Sequence, residues 1–250
     1  MRFPALSGAF AVATSVVLAA APVEAQEARR GVSDEALWVG AGAALVGAVL
    51  LDRTVDGMVA DGGGERLEWA TDALNYGGRP QIALAALGAT WAGARLGGSP
   101  RTAEAAEHVV AALFAAGIAN GSLKVALGRE RPNETDDPAR FEPFRGENRW
   151  QSFPSGHTTV AFSLAASISE EAREPWVTGV AYGTAALVGW SRIYDDRHWT
   201  SDVVGGALIG VVASRATVAW LHRRDPHDED GGEAVRITLL PNALVVRIPR

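Results

Sequence analysis

The stretch 153–168, Phe-Pro-Ser-Gly-His-Thr-Thr-Val-Ala-Phe-Ser-Leu-Ala-Ala-Ser-Ile, decides the fold. Pro154, Ser155 and Gly156 interrupt the chain. From Thr158 an Ala-rich apolar run then continues for longer than a typical strand, so it reads as a helix capped by Ser155. Apolar runs of the same kind recur on either side, at 36–51, 81–96, 103–119, 176–190 and 203–221. Breaker clusters separate them, among them Gly77-Gly78-Arg79-Pro80, Gly97-Gly98-Ser99-Pro100 and Glu174-Pro175. The expectation is an all-α fold, a helical bundle of about six helices. After it comes a charged tail, and two β-prone runs at 234–240 and 243–248 flank Pro241-Asn242 as a short C-terminal β-hairpin.

Of 250 residues, 48% are hydrophobic and 21% charged, enough apolar material for one good-sized core. A net charge of -6 gives no footprint for a nucleic-acid backbone, so nucleic acid is excluded as a partner. There is no cysteine, which removes disulfides, thiolate metal sites and cysteine nucleophiles and leaves any chemistry to His, Asp, Ser, Lys and Arg. At the N-terminus Arg2, an apolar run at 9–21 and the small-residue pattern Val23-Glu24-Ala25 read as a secretory signal. The domain reading is therefore a signal peptide at 1–25, a helical domain at 26–222, and a tail with the hairpin at 223–250.

Three clusters carry chemistry. Lys124 and Arg131 lie seven residues apart, close to two helical turns, and Pro132 ends the element; their cations would point together. An arginine fork and a movable lysine charge suit the oxygens of a phosphate. Pro154-Ser155-Gly156-His157 opens a helix whose first amides and dipole favour an anion, with His157 beside it as a general acid. Ser191-Arg192, five further residues, then His198 and Asp202 place an imidazole and a carboxylate four apart. On one helix face the carboxylate would hold one ring nitrogen and leave the other free to attack. Arg192 adds a third cation for charge spreading over the phosphoryl oxygens. Taken singly, each cluster has a plainer reading: snorkelling cations, a capped helix, a structural His-Asp hydrogen bond.

Together the clusters follow the order Lys-x6-Arg-Pro, Pro-Ser-Gly-His, Ser-Arg-x5-His-x3-Asp. Over about residues 103–221 the chain resembles the type 2 phosphatidic acid phosphatase and vanadium haloperoxidase superfamily. The resemblance implies phosphate binding by Lys124, Arg131, Arg192, Ser155 and Gly156, nucleophilic attack by His198, orientation by Asp202 and protonation of the leaving oxygen by His157. It implies phosphate release from a lipid or isoprenoid phosphate, or from soluble esters as in the family's secreted acid phosphatases. A haloperoxidase is the less favoured reading, since those chains are usually much longer. No metal or other cofactor is implied, although vanadate could bind as a phosphate mimic.

Other residues receive plainer readings. Glu107 and His108 form a buried polar pair or face solvent, His222 belongs to the charged tail, and Asp195 and Asp196 are loop acids. Tryptophans 150, 176, 190, 199 and 220 suit a membrane interface or the core. A mean hydropathy of +0.05 and charges inside the apolar runs, as at Arg95, Glu104 and Arg215, sit awkwardly with membrane spans. Membrane association, with the site facing the periplasm, is nevertheless slightly favoured. The run around Glu104 to His108 is the one least expected to cross.

Overall fold

The computed structural model describes residues 34–62 and 68–224, together with strands at 236–240 and 243–247. The signal expected at 1–25 and the charged stretch 225–235 lie outside the described residues. Seven α-helices are found among those described: α1 Asp34–Gly62, α2 Glu68–Gly77, α3 Pro80–Leu96, α4 Pro100–Leu127, α5 Gly156–Ala172, α6 Pro175–Tyr194 and α7 Thr200–His222. The fold is all-α, with one helix more than expected. That helix is α2, whose short polar stretch beside the glycine breakers gave no long apolar run to mark it. The C-terminal hairpin forms as β1 Arg236–Leu240 antiparallel to β2 Ala243–Arg247, with Arg236 opposite Arg247.

Proline opens α3, α4 and α6, where a missing amide costs nothing and a fixed φ favours the first turn. Helix α4 ends at Leu127, four residues short of Arg131, because Gly128 adopts φ 60 and caps it in the left-handed conformation. A Cβ at Gly128 would stand 1.8 Å from the Glu142 carbonyl oxygen, so the loop that follows can fold back only over a glycine.

Helix α5 is central and packs on α4, α6 and α7. Its core is built largely of alanine: Ala161, Ala165 and Ala166 meet Ala185, Val188, Val204 and Ala207 around Phe162 and Tyr182. A Cβ at Gly206 would lie 2.6 Å from the Ser155 carbonyl oxygen, so α7 touches the start of α5 backbone to backbone.

Polarity is arranged unusually. Ser155, Thr158, Thr159, Ser163, Ser167, Ser201 and Ser214 are buried. Their hydroxyls are satisfied within the bundle, as where Ser163 Oγ meets Ser214 Oγ at 2.6 Å or Ser167 Oγ donates to the Ser163 carbonyl at 2.8 Å. Large apolar side chains meanwhile face outward, with Leu50 77%, Val39 71% and Ile118 69% exposed. Small and hydroxyl-bearing residues between helices, with apolar ones around them, are the packing expected where lipid replaces water. Among the described residues, three helices are long and apolar enough to cross a membrane: 36–59 of α1, and all of α4 and α7. Helix α4 includes the run least expected to span. Its Glu107 turns outward to accept from Trp91 at 2.7 Å and Arg95 at 3.0 Å on α3, while His108 turns inward to Glu171 rather than to Glu107. Of the tryptophans, Trp150 and Trp199 are core residues, and Trp220 is exposed.

Candidate active site

The loop between α4 and α5, the end of α6 and the start of α7 converge at one end of the bundle. The loop is held in place as a roof. The Arg131 amide donates to the Arg149 carbonyl at 3.0 Å and the Ser152 amide to the Arg129 carbonyl at 2.9 Å. Trp199 Nε1 donates to the Glu130 carbonyl at 3.0 Å, and the fully buried Glu130 carboxylate pairs with Arg140 and Arg149.

Lys124 comes from the last turn of α4, and its Nζ donates to the Gln151 carbonyl at 2.5 Å. Arg131 is in extended backbone beyond the helix. The two cations are therefore brought together by the Gly128 turn, and helical periodicity plays no part. Arg131 is fixed from two sides, donating to the Asn148 carbonyl at 2.9 Å and the Arg197 carbonyl at 3.0 Å. Arg192, in the last turn of α6, donates to Asn75 Oδ1 at 2.5 Å and reaches Asp195 at 3.4 Å, while its Nε is buried without a protein partner. Asp195 is thus a clamp on Arg192, with Asn75 Nδ2 donating to it at 2.5 Å, and the reading as a solvated loop acid is corrected.

Ser155 precedes α5 but makes no side-chain cap. Its hydroxyl accepts from Thr158 Oγ1 at 2.9 Å, its amide donates to the Asp202 carbonyl at 2.9 Å, and the residue is fully buried. Ser155 therefore ties α5 to α7, and the next amides, of Gly156 and His157, are the first-turn donors left over by helix geometry. A Cβ on Gly156 would sit 3.8 Å from Lys124 Cε, which locates the lysine beside that turn.

His198 and Asp202 do not share a helix face: α7 begins at Thr200, so His198 sits in the turn before it. The pair still meets, Nδ1 to Oδ2 at 3.5 Å. Asp202 Oδ2 accepts a short bond from Ser152 Oγ at 2.5 Å and another from the Trp199 amide at 2.9 Å. Its Oδ1 accepts from Arg129 at 2.6 Å. Arg129 also donates to Asp52 Oδ2 on α1 at 2.8 Å, and Asp52 in turn accepts from the Ser201 amide and hydroxyl. Burial, reinforced by the positive field of Lys124 and Arg131 and opposed by Asp202, pushes the His198 imidazole down to about 3. His157 is pushed down to about 4, by burial first and then by Arg192, Arg79, Arg131 and Lys124. Both histidines are therefore neutral in the ligand-free site at pH 7, surrounded by cations.

Above this group lies a cavity of about 1490 Å³ whose lining includes Arg131, His157 and Arg192 together with Asn75, Tyr76 and Arg79 of α2 and the turn after it. His198 lies beneath, only 3% exposed. Lys124, Arg131, Ser155, Gly156, His157, Arg192, His198 and Asp202, the residues assigned to the site from sequence, all lie at this end of the molecule. Asp52, Asn75, Arg79, Arg129 and Ser152 were not foreseen. Arg129 stood inside the first motif's gap with nothing to distinguish it, and the others lay outside the motifs.

Residues 106–226 match the PAP2 superfamily. The lipid A 1-phosphatase of Porphyromonas gingivalis is 37% identical over 107 residues, 41% of this chain and 21% of that one, so the chain spans about a fifth of that relative's length. Among solved structures, Aquifex aeolicus LpxE aligns with a TM-score of 0.55 at 22% identity, covering 68% of this chain and 95% of that one. A transmembrane PAP2 type phosphatidylglycerolphosphate phosphatase from Bacillus subtilis aligns at 0.59 and 19%, covering 75% and 97%. Those two likenesses concern the fold, and the sequence match adds the motifs it carries. The stretch that holds Lys124, the Ser155–His157 turn and the His198–Asp202 pair is thus the part of the chain that is similar to the PAP2 superfamily.

Proposed function

We propose that this protein is a membrane phosphatase that removes phosphate from a lipid or isoprenoid phosphate or diphosphate without a metal ion. The observation that carries the proposal is the convergence of Arg131, Arg192 and His157 around one cavity, with Lys124 beside the Gly156 turn, over the His198–Asp202 pair. Three cations and the first-turn amides supply the charge stabilisation that a phosphoryl group needs in flight, and the orphan Nε of Arg192 is a donor that an oxyanion would satisfy.

In this reading Asp202 faces Nδ1 of His198 and fixes the tautomer, so that Nε2 attacks phosphorus. The bond from phosphorus to the leaving oxygen breaks as His157 gives that oxygen its proton. The neutral His157 then takes a proton from water as the water attacks the phosphohistidine, which releases phosphate and restores both histidines. A bound phosphate dianion supports this cycle, since its charge draws the His157 pKa up from its low ligand-free value.

The outward apolar faces of α1, α4 and α7 support a lipid substrate over a soluble ester. We place the site on the extracytoplasmic side. Helix α1 runs toward the site, since Asp52, late in it, reaches Arg129. If α1 spans, residue 34 lies on the opposite face from the site, and an N-terminus exported by a signal cleaved after residue 25 does not fit this orientation.

The test is phosphate release by detergent-purified protein in EDTA, comparing a lipid phosphate with a soluble monoester. Preferential turnover of the lipid is expected. Equal or better turnover of the soluble ester would favour a broad acid phosphatase, and loss of activity in EDTA would overturn the metal-free chemistry.

A further inference from the structure

At the end of the bundle away from the site, three ligating side chains from three helices meet. His108 on α4 places Nδ1 2.9 Å from Glu171 Oε1 on α5, and His222, the last residue of α7, places Nε2 3.1 Å from the same oxygen. All three atoms lie within 4.8 Å of one another, and the two imidazoles meet edge to face at 5.2 Å between centroids. From Thr200 to His222 at ~1.5 Å per residue, the cluster is roughly 30 Å from the catalytic end.

We propose that His108, Glu171 and His222 form a binding site for one divalent transition-metal ion of the zinc class. Two imidazole nitrogens and one carboxylate oxygen are donors that zinc takes at ~2.0–2.2 Å, and neighbouring donors on one four-coordinate zinc lie about 3.3 Å apart. The observed separations of 2.9 and 3.1 Å are already close to that spacing. Nitrogen donors disfavour magnesium and calcium, which take oxygen. The side chains are 11%, 18% and 23% exposed, enclosed enough to be held and open enough for water to complete the coordination.

Without a metal, two imidazoles must both point a proton at a single oxygen. With one, each offers a lone pair and the carboxylate neutralises part of the charge. An ion would replace the two hydrogen bonds to Glu171 Oε1 with coordinate bonds joining α4, α5 and α7, and this places its effect on stability, far from the phosphoryl chemistry.

The experiment uses the full chain in detergent, stripped with a chelator and then dialysed against zinc. Expected are one zinc per chain by elemental analysis and a melting midpoint raised by roughly 5–10 °C at zinc well above its dissociation constant. His108→Ala, His222→Ala and Glu171→Gln should each lose both effects. Cobalt in place of zinc should give the visible absorption of a four-coordinate ion in the parent chain alone, a readout independent of stability. If the parent binds no more zinc than His222→Ala and its melting is indifferent to zinc and to EDTA, the cluster is a hydrogen-bonded latch only and the proposal is overturned.

Discussion

Arg129 donates to Asp202 Oδ1 at 2.6 Å and, through its other terminal nitrogen, to Asp52 Oδ2 at 2.8 Å. The carboxylate behind His198 is therefore tied to a helix that carries none of the motifs. A lysine has one nitrogen on a flexible stem and cannot occupy both positions of the planar fork that holds the two carboxylates in place. We predict that Arg129→Lys and Asp52→Asn lower kcat by ~10- to 100-fold with little change in KM, because a small misplacement of the positioning carboxylate is felt mainly in the reaction step. Steady-state kinetics with a melting curve checks this; an unchanged kcat in a folded Arg129→Lys protein would refute the positioning role.

His198→Ala should lose several orders of magnitude in phosphate release, since only binding and electrostatics remain when the nucleophile is truncated. The variant should still bind vanadate through Lys124, Arg131 and Arg192. Rapid-quench detection of acid-labile phosphoprotein in the parent, and its absence in His198→Ala, is the direct check.

Both site histidines titrate below their ordinary value, His198 at about 3 and His157 at about 4. As pH falls below ~6.5 the unfolded chain takes up protons at these positions before the folded chain does, so stability falls as pH drops from ~6.5 toward 3. Melting of the ligand-free protein should show this loss, and His157→Gln should make it shallower. For catalysis the sign is the reverse at His157, which must hold a proton to donate it. The kcat/KM should decline on the alkaline side, with the limb for kcat displaced to higher pH by the bound phosphate.

The chain has no cysteine, so an introduced one is a unique label. Ser99→Cys, in the turn between α3 and α4, and Arg145→Cys, in the roof loop, should be modified from opposite sides of the membrane, with Arg145→Cys reached first by a membrane-impermeant maleimide in intact cells. Labelling of Ser99→Cys alone would turn the site to the cytoplasm.

Gly206→Ala should cost ~1–3 kcal/mol, since its Cβ would meet the Ser155 carbonyl at 2.6 Å and overpack the α5–α7 seam. Gly183→Ala on α6 meets nothing within 4 Å and should be neutral or stabilising by ~0.5–1 kcal/mol. Thermal or denaturant unfolding of the pair in detergent separates close packing from helix propensity.

What the sequence determined by itself was what lies in local windows. Ala-rich runs longer than strands specified helices, and prolines at 80, 100 and 175 marked where three of them start. Lys124, Arg131, His157, Arg192, His198 and Asp202 could be singled out because their spacing is short and their residue types are those that handle phosphate. The geometry inside those windows was less legible. The Gly128 turn, with its carbonyl contact from Glu142, replaced an expected helix between Lys124 and Arg131, and α7 started two residues after His198. Tertiary structure alone decided the rest, because those partners are far apart in the chain. Asp52 meets Ser201 across 149 positions, Asn75 meets Arg192 across 117, and His108 meets Glu171 across 63. A lone buried aspartate, asparagine or histidine carries no periodic signal; its role exists only once helix packing has removed water and left its polar atoms to be satisfied by whatever side chain the bundle places beside it.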